Sequence, residues 1–188
     1  MVNERLNILK LLIEEQEESF SIRQISIKRK INYKSAYNAL KDLNKEGVVA
    51  LEKHGNTTLC SFNHKFNSSV FQVEYERLKL LLKDKNFLVL YNHIAGLNEQ
   101  FILLLFGSYA KNKQTKSSDI DLLLISNNHK TIETKLNILP LDIHLTHITY
   151  EDFKLMLNSK RFTVVSEAVK HNILLFGIED YYRLVNNA

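Results

Sequence analysis

The chain has 188 residues, 45% hydrophobic and 24% charged, and its 25 Lys and Arg against 21 Asp and Glu give a net charge of +4. These values exclude a disordered or fibrous chain and leave room for one large domain or two small ones. A lone cysteine, Cys60, excludes an internal disulfide, and no apolar run approaches the ~20 residues that span a bilayer. With Glu4 near the start and no signal-like apolar core, the expectation is a soluble cytoplasmic protein without a membrane partner.

Leu6, Ile8, Leu9, Leu11, Leu12 and Ile13 predict a first amphipathic helix. Ser19 or Ser21 is placed to cap a second, with Ile22, Ile25 and Ile27 apolar. Asn32 is placed to cap a third over 33–45, whose inner face is Ala36, Ala39, Leu40 and Leu43, and Gly47 stops it. Segments 48–51 and 57–62 read as strands around a turn at 53–56, with Cys60 a buried or half-buried strand residue. Residues 21–53 carry eight Lys or Arg against three acids, a net of +5. A basic stretch centred on a capped helix is the footprint of phosphate binding. Lys34, Ser35, Tyr37, Asn38 and Lys41 fall on the outer face of the third helix, and Lys53 lies in the turn. Three helices and a hairpin make a winged helix-turn-helix, and residues 1–65 resemble the winged DNA-binding domains of prokaryotic regulators. The resemblance implies DNA as a partner, read by those six residues.

Residues 63–67 read as a short linker. An amphipathic helix follows over 68–85, with Val70, Phe71, Val73, Leu78, Leu80, Leu81 and Leu82, and is expected to connect two domains or seal a homodimer. A further helix is predicted over 87–97.

The apolar run 101–106 then meets Gly107-Ser108-Tyr109-Ala110-Lys111, and Ser118-Asp119-Ile120-Asp121 leads into Leu122–Ile125. The second apolar run predicts a buried strand, on which residues two apart share a face. Asp119 and Asp121 then converge, and paired carboxylates call for a cation, Mg²⁺ (or Mn²⁺), that keeps positions open for phosphates. Gly107 allows a tight turn and close ligand approach, and Ser108 is placed to cap a short helix facing a phosphate.

Gly107, Ser108, Ala110, Ser118, Asp119, Ile120, Asp121 and Leu122 fit the pattern Gly-Ser-x-Ala-Arg-Gly-x5-Ser-Asp-Ile-Asp-Leu. The segment 86–180 therefore resembles the DNA polymerase beta-like nucleotidyltransferase superfamily, and most closely its minimal members. The family carries a third carboxylate on a later strand, and Asp142 in the alternating stretch 139–145 takes that place. Lys111-Asn112 stands where the family has Arg-Gly. Lys111 keeps the charge without the bidentate fork, and Asn112 takes positive φ less freely than glycine.

The resemblance implies catalytic and metal-holding roles for Asp119, Asp121 and Asp142, and nucleotide binding by Gly107, Ser108, Lys111 and Ser118. It implies an NTP, with ATP expected, as substrate, and a hydroxyl of a protein or RNA as acceptor. Minimal members often serve as antitoxins that modify a HEPN ribonuclease toxin, a partner class from which the added winged helix departs.

His144 shares a strand face with Asp142 and is within reach of the site. Helices over 151–158 and 164–171, a strand over 173–176 and a helix from about 179 complete the chain. The whole is expected to be α/β (α+β): a winged helix over 1–65, a connecting helix over 66–85, and a mixed sheet flanked by helices over 86–188. The alternative function is a DNA-binding transcriptional regulator whose nucleotidyltransferase domain only senses nucleotide or is degenerate.

Overall fold

The protein is described by a computed structural model covering residues 2–115, 117–159 and 163–186. The chain divides into two compact units, Met1–Val73 and Glu74–Ala188. The first contains α1 (Val2–Glu14), β1 (Phe20–Ser21), α2 (Ile22–Arg29), α3 (Tyr33–Lys45), β2 (Val49–His54) and β3 (Thr57–Phe62). Ser21 opens α2 with a capping box: its hydroxyl accepts the Gln24 N–H at 3.2 Å, and Gln24 Oε1 accepts the Ser21 N–H at 2.7 Å. Asn32 Oδ1 opens α3 by accepting the Ser35 N–H at 2.7 Å. Ala36, Leu40 and Leu43 bury the inner face of α3, which packs on α1 and its buried Ile8, Leu9 and Leu12. The sheet order is β1-β3-β2, antiparallel throughout.

Two details differ from the sequence expectation. Lys53 pairs with Thr58 inside β2, because Gly55 at φ +59° lets the hairpin close over Gly55 and Asn56 alone. β1, which pairs with β3, adds to the expected elements, since two residues are too few for an alternation to register. Cys60 is buried on β3, and burial pushes its thiol up to about 11.

Helix α4 (Ser68–Leu81) contains the division between the two units. Val70, Val73 and Leu78 of the expected apolar stripe are buried within the chain, whereas Phe71 and Leu80 are 46% and 56% exposed.

The second unit continues with α5 (Lys85–Ile94), β4 (Ile102–Leu105), α6 (Gly107–Ala110), β5 (Ile120–Ile125), α7 (Lys130–Asn137) and β6 (Ile143–Ile148). It ends with α8 (Tyr150–Leu157), α9 (Val164–Lys170), β7 (Ile173–Phe176) and α10 (Ile178–Asn186). The strands form a mixed sheet of order β6-β5-β4-β7, as expected, with β5 and β6 parallel and the other pairs antiparallel. A parallel pair needs a crossover, which α7 supplies. α7 adds to the elements expected from the sequence, and Ile132 and Leu136, four apart and both buried, carry its signal.

One sheet face packs Leu103, Leu105, Ile120, Leu122 and Leu124 against Phe87, Leu90 and Ile94 of α5 and Ile132 and Leu136 of α7. The other face buries Ile102, Leu104, Leu123, Ile125 and Leu174, with α10 packed on β4 and α8 packed on α9 and α10.

A polar network lies inside this unit. Glu74, whose side chain has no exposure, is bound by Arg77 Nη1 at 2.6 Å and by the Tyr182 hydroxyl. The other arm of Arg77 donates to the Asn172 carbonyl, and Asn172 Nδ2 donates to the Tyr181 hydroxyl at 3.0 Å and the Ala168 carbonyl at 2.8 Å. Burial holds both tyrosine phenols well above their usual range, so they remain neutral hydrogen-bonding groups. Arg77→Met should destabilise the protein by about 3–5 kcal/mol, because Glu74 is left buried without its cation. Adding Glu74→Leu should recover much of that loss. Chemical denaturation followed by circular dichroism checks both, and a double variant no more stable than Arg77→Met would contradict the account.

Candidate functional site

β4 leads into Phe106, whose N–H donates to the Asp121 carbonyl at 3.0 Å. Phe106 is extended and is itself the N-cap of α6, with no side-chain cap bond. Ser108 therefore lies inside the first turn rather than capping it, and its carbonyl accepts the Lys113 N–H at 2.9 Å. Gly107 has φ +69°, and a Cβ added there would stand 2.1 Å from Asp121 Oδ2. Glycine is thus required twice, once by the backbone and once by the carboxylate lying on its bare Cα.

Asp121 is the second residue of β5, with a side chain 28% exposed. Asp119 precedes the strand and is exposed. Ser118 closes the intervening turn: its hydroxyl accepts the Thr115 N–H at 2.9 Å and lies 3.1 Å from Thr115 Oγ1. Lys111 Nζ donates to Glu167 Oε1 at 2.8 Å, which ties α6 to α9. Asn112 has φ +52°, a region that asparagine enters more readily than most side chains, so the backbone that glycine would give is kept.

Asp142 sits one residue ahead of β6 and is exposed, and its carbonyl accepts the Ile120 N–H at 2.8 Å. In the parallel ladder the residue opposite Asp121 is His144. Its Nδ1 lies 3.4 Å from Asp121 Oδ1. Among the described residues, no three His, Cys, Asp or Glu side chains gather into a group that could hold a metal. Asp119, Asp121 and Asp142 are therefore at one end of two adjacent strands but are not drawn together. The register places His144, rather than Asp142, beside Asp121. Glu167 as the partner of Lys111 had no signal in the sequence, since the two are far apart along the chain.

Asp119 and Asp121 are hard oxygen donors of the kind a divalent cation takes, while the space beside the Gly107 Cα is filled by Asp121 Oδ2 itself. Those two carboxylates are the residues that could hold such an ion.

In the first unit, Lys34, Tyr37, Asn38 and Lys41 are exposed along α3, while Ser35 is half-buried in its first turn. Lys53 is exposed on β2. Tyr33 and Tyr37, one turn apart on α3, are 56% and 46% exposed. The surface is thus basic and aromatic together.

Residues 97–181 match the family described as Polymerase beta, Nucleotidyltransferase. The matched segment holds all four strands of the mixed sheet and the Gly107–Asp121 contact. It points to nucleotidyl transfer as the class of activity and to a nucleotide as substrate. No curated protein and no solved structure matches the chain. No described helix is long and apolar enough to cross a membrane.

Gly107→Ala tests the central contact of the matched segment. The substitution should cost about 1–3 kcal/mol from the left-handed backbone alone, with a further penalty from Asp121. In an Asp121→Ala background the cost should be smaller, with a coupling of about 0.5–3 kcal/mol. Thermal unfolding of the four proteins measures it, and additive effects would show that Asp121 is not the obstacle.

Proposed function

We propose that the protein is a metal-dependent nucleotidyltransferase that moves an NMP from an NTP, with ATP the expected donor, to a hydroxyl of a protein or RNA acceptor. The observation that carries this reading is the Asp121 carboxylate resting on Gly107 inside a segment that matches a nucleotidyltransferase family. The acceptor hydroxyl attacks the α-phosphorus, the bond to the bridging oxygen breaks, and pyrophosphate leaves. A bound Mg²⁺ or Mn²⁺ would neutralise charge on the triphosphate and on the leaving group. Asp119 and Asp121 would hold that ion. The Gly107-Ser108 turn receives the phosphates, with Lys111 and Ser118 beside it. Asp142, at the open end of β6, is placed to take the hydroxyl proton.

The first unit is proposed to be a winged helix that binds DNA through α3 and the hairpin, using Lys34, Ser35, Tyr37, Asn38, Lys41 and Lys53. Its three helices, antiparallel hairpin and basic, tyrosine-bearing α3 surface support this. A cytoplasmic location and a protein acceptor of the HEPN toxin class belong to the same reading. A homodimer would use the exposed part of the α4 stripe, Phe71 and Leu80. One observation favours a second reading, a DNA-binding regulator that senses nucleotide without consuming it. The three aspartates do not gather into one metal-holding group.

Incubation with each labelled NTP, Mg²⁺ or Mn²⁺ and candidate protein or RNA acceptors separates the two. The enzyme transfers label, and Asp119→Asn or Asp121→Asn should each lower transfer by at least about a hundredfold, as loss of metal partners does. The sensor binds NTP, transfers nothing and changes its DNA affinity. A wild-type protein that binds no NTP with either ion would remove both readings.

DNA binding is tested separately. Lys34→Glu with Lys41→Glu should weaken duplex binding and reduce the salt dependence of log K by about two, one for each lost phosphate contact. Nucleotide binding should be unchanged. Fluorescence anisotropy across a salt series reads the slope, and an unaltered slope and affinity would rule out α3 as the contact surface.

A further inference from the structure

Because α3 buries Ala36, Leu40 and Leu43, its solvent side is centred on Lys34, Asn38 and Lys41, with Tyr33 and Tyr37 along one flank. No acid interrupts residues 33–41. The first acid, Asp42, lies one turn beyond Asn38, and its Oδ1 is held by Lys45 Nζ at 3.3 Å. A recognition helix meets base edges with its N-terminal residues, and that end of α3 is the acid-free one. Tyr33, the first residue of the helix, is 56% exposed and Tyr37 is 46% exposed. The asparagines around α3 divide by role. Asn32 caps the helix, and Asn44 Nδ2 donates to the Val49 carbonyl at 2.8 Å. Asn38 is exposed, and among the described residues no side-chain hydrogen bond or ring contact engages Asn38, Tyr33 or Tyr37.

We infer that α3 reads A·T base pairs through the major groove, with Asn38 bound to the edge of adenine and Tyr33 and Tyr37 covering thymine methyl groups. The inference rests on the DNA-binding reading of α3 and specifies what that helix recognises. The chemistry of the uncommitted side chains selects the base. An asparagine amide offers an acceptor and two donors. Adenine presents its N7 acceptor and N6 donor side by side in the major groove, so one amide makes both bonds. Guanine presents two acceptors there, which would leave the amide oxygen facing an acceptor. Thymine alone adds a methyl group, the apolar partner that two exposed rings call for. Lys34 and Lys41, about one turn to either side of Asn38, carry donors only and go to the phosphates that hold the helix in register.

The test titrates the full chain, by fluorescence anisotropy, with short duplexes of alternating dA-dT, dA-dU, dI-dC or dG-dC. The dA-dU duplex lacks only the thymine methyl. The dI-dC duplex keeps the minor groove of A·T but shows the major-groove edge of G·C. Wild type should bind dI-dC and dG-dC alike, about tenfold or more weakly than dA-dT, with dA-dU between them. Tyr33→Ser with Tyr37→Ser should make dA-dT and dA-dU equal. Asn38→Ala should bring dA-dU down to dI-dC. Neither variant removes a phosphate contact, so the salt dependence should stay as in wild type. Wild type that binds dI-dC as tightly as dA-dT, or all four duplexes equally, overturns the inference and leaves DNA binding standing. Equal binding of dA-dT and dA-dU by wild type overturns the role of the tyrosines. Wild type that binds none of the duplexes overturns the DNA-binding reading as well.

Discussion

A strand buried on both faces can carry a charged side chain only where the burial stops. β5 is such a strand: Leu122, Leu123, Leu124 and Ile125 have no exposure, and Asp121 comes just before them. Desolvating that carboxylate in the middle of the sheet would cost several kcal/mol. The chain instead places it at the first turn of the ladder, where β4 hands over to α6 and where Gly107 offers no Cβ to meet it. Moving Asp121 inward would bury an unpaired charge, and any other side chain at position 107 would strike it. The site is located by these two constraints together.

The same unit does bury one carboxylate fully, and the contrast is instructive. Glu74 is enclosed, but with an arginine and a phenol bound directly to it. Arg77 then reaches the Asn172 carbonyl, and Asn172 reaches Tyr181, so one network connects α4, α10 and the turn between α9 and β7. A fully satisfied network of this kind fixes a unique packing, because half of it would be worse than none. Asp121 has no such enclosure, and its nearest ionisable neighbour is the exposed His144. Structural and candidate functional carboxylates are thus distinguished by how completely their partners close around them.

The first unit is organised by local chemistry. Ser21 and Asn32 cap their helices with their own side chains, and Arg5 and Asn67 both reach the Glu46 carboxylate, at 2.6 and 2.9 Å. The inner face of α3 is apolar and its outer face keeps lysine and tyrosine in solvent. That division leaves the basic surface free while the opposite side supplies the core.

The sequence by itself determined what depends on near neighbours along the chain. Capping residues fixed the starts of α2 and α3, the apolar runs fixed β4 and β5, and the Gly-Ser and Asp-x-Asp spacing located the candidate site. Shorter or distant features were not legible. β1 is too short to show a period, and the ion pair of Lys111 with Glu167 joins α6 to α9 across a long loop of chain. Ser108 appeared to be a cap because serine favours that position, but the extended residue that ends β4 is Phe106. Above all, only the tertiary structure decided which residue of β6 faces Asp121. Asp142 and His144 lie two apart and share a face, so alternation cannot choose between them. The hydrogen-bonded register of β5 with β6 chooses His144, because a ladder is set by pairing between strands, and that pairing is not written in either strand alone.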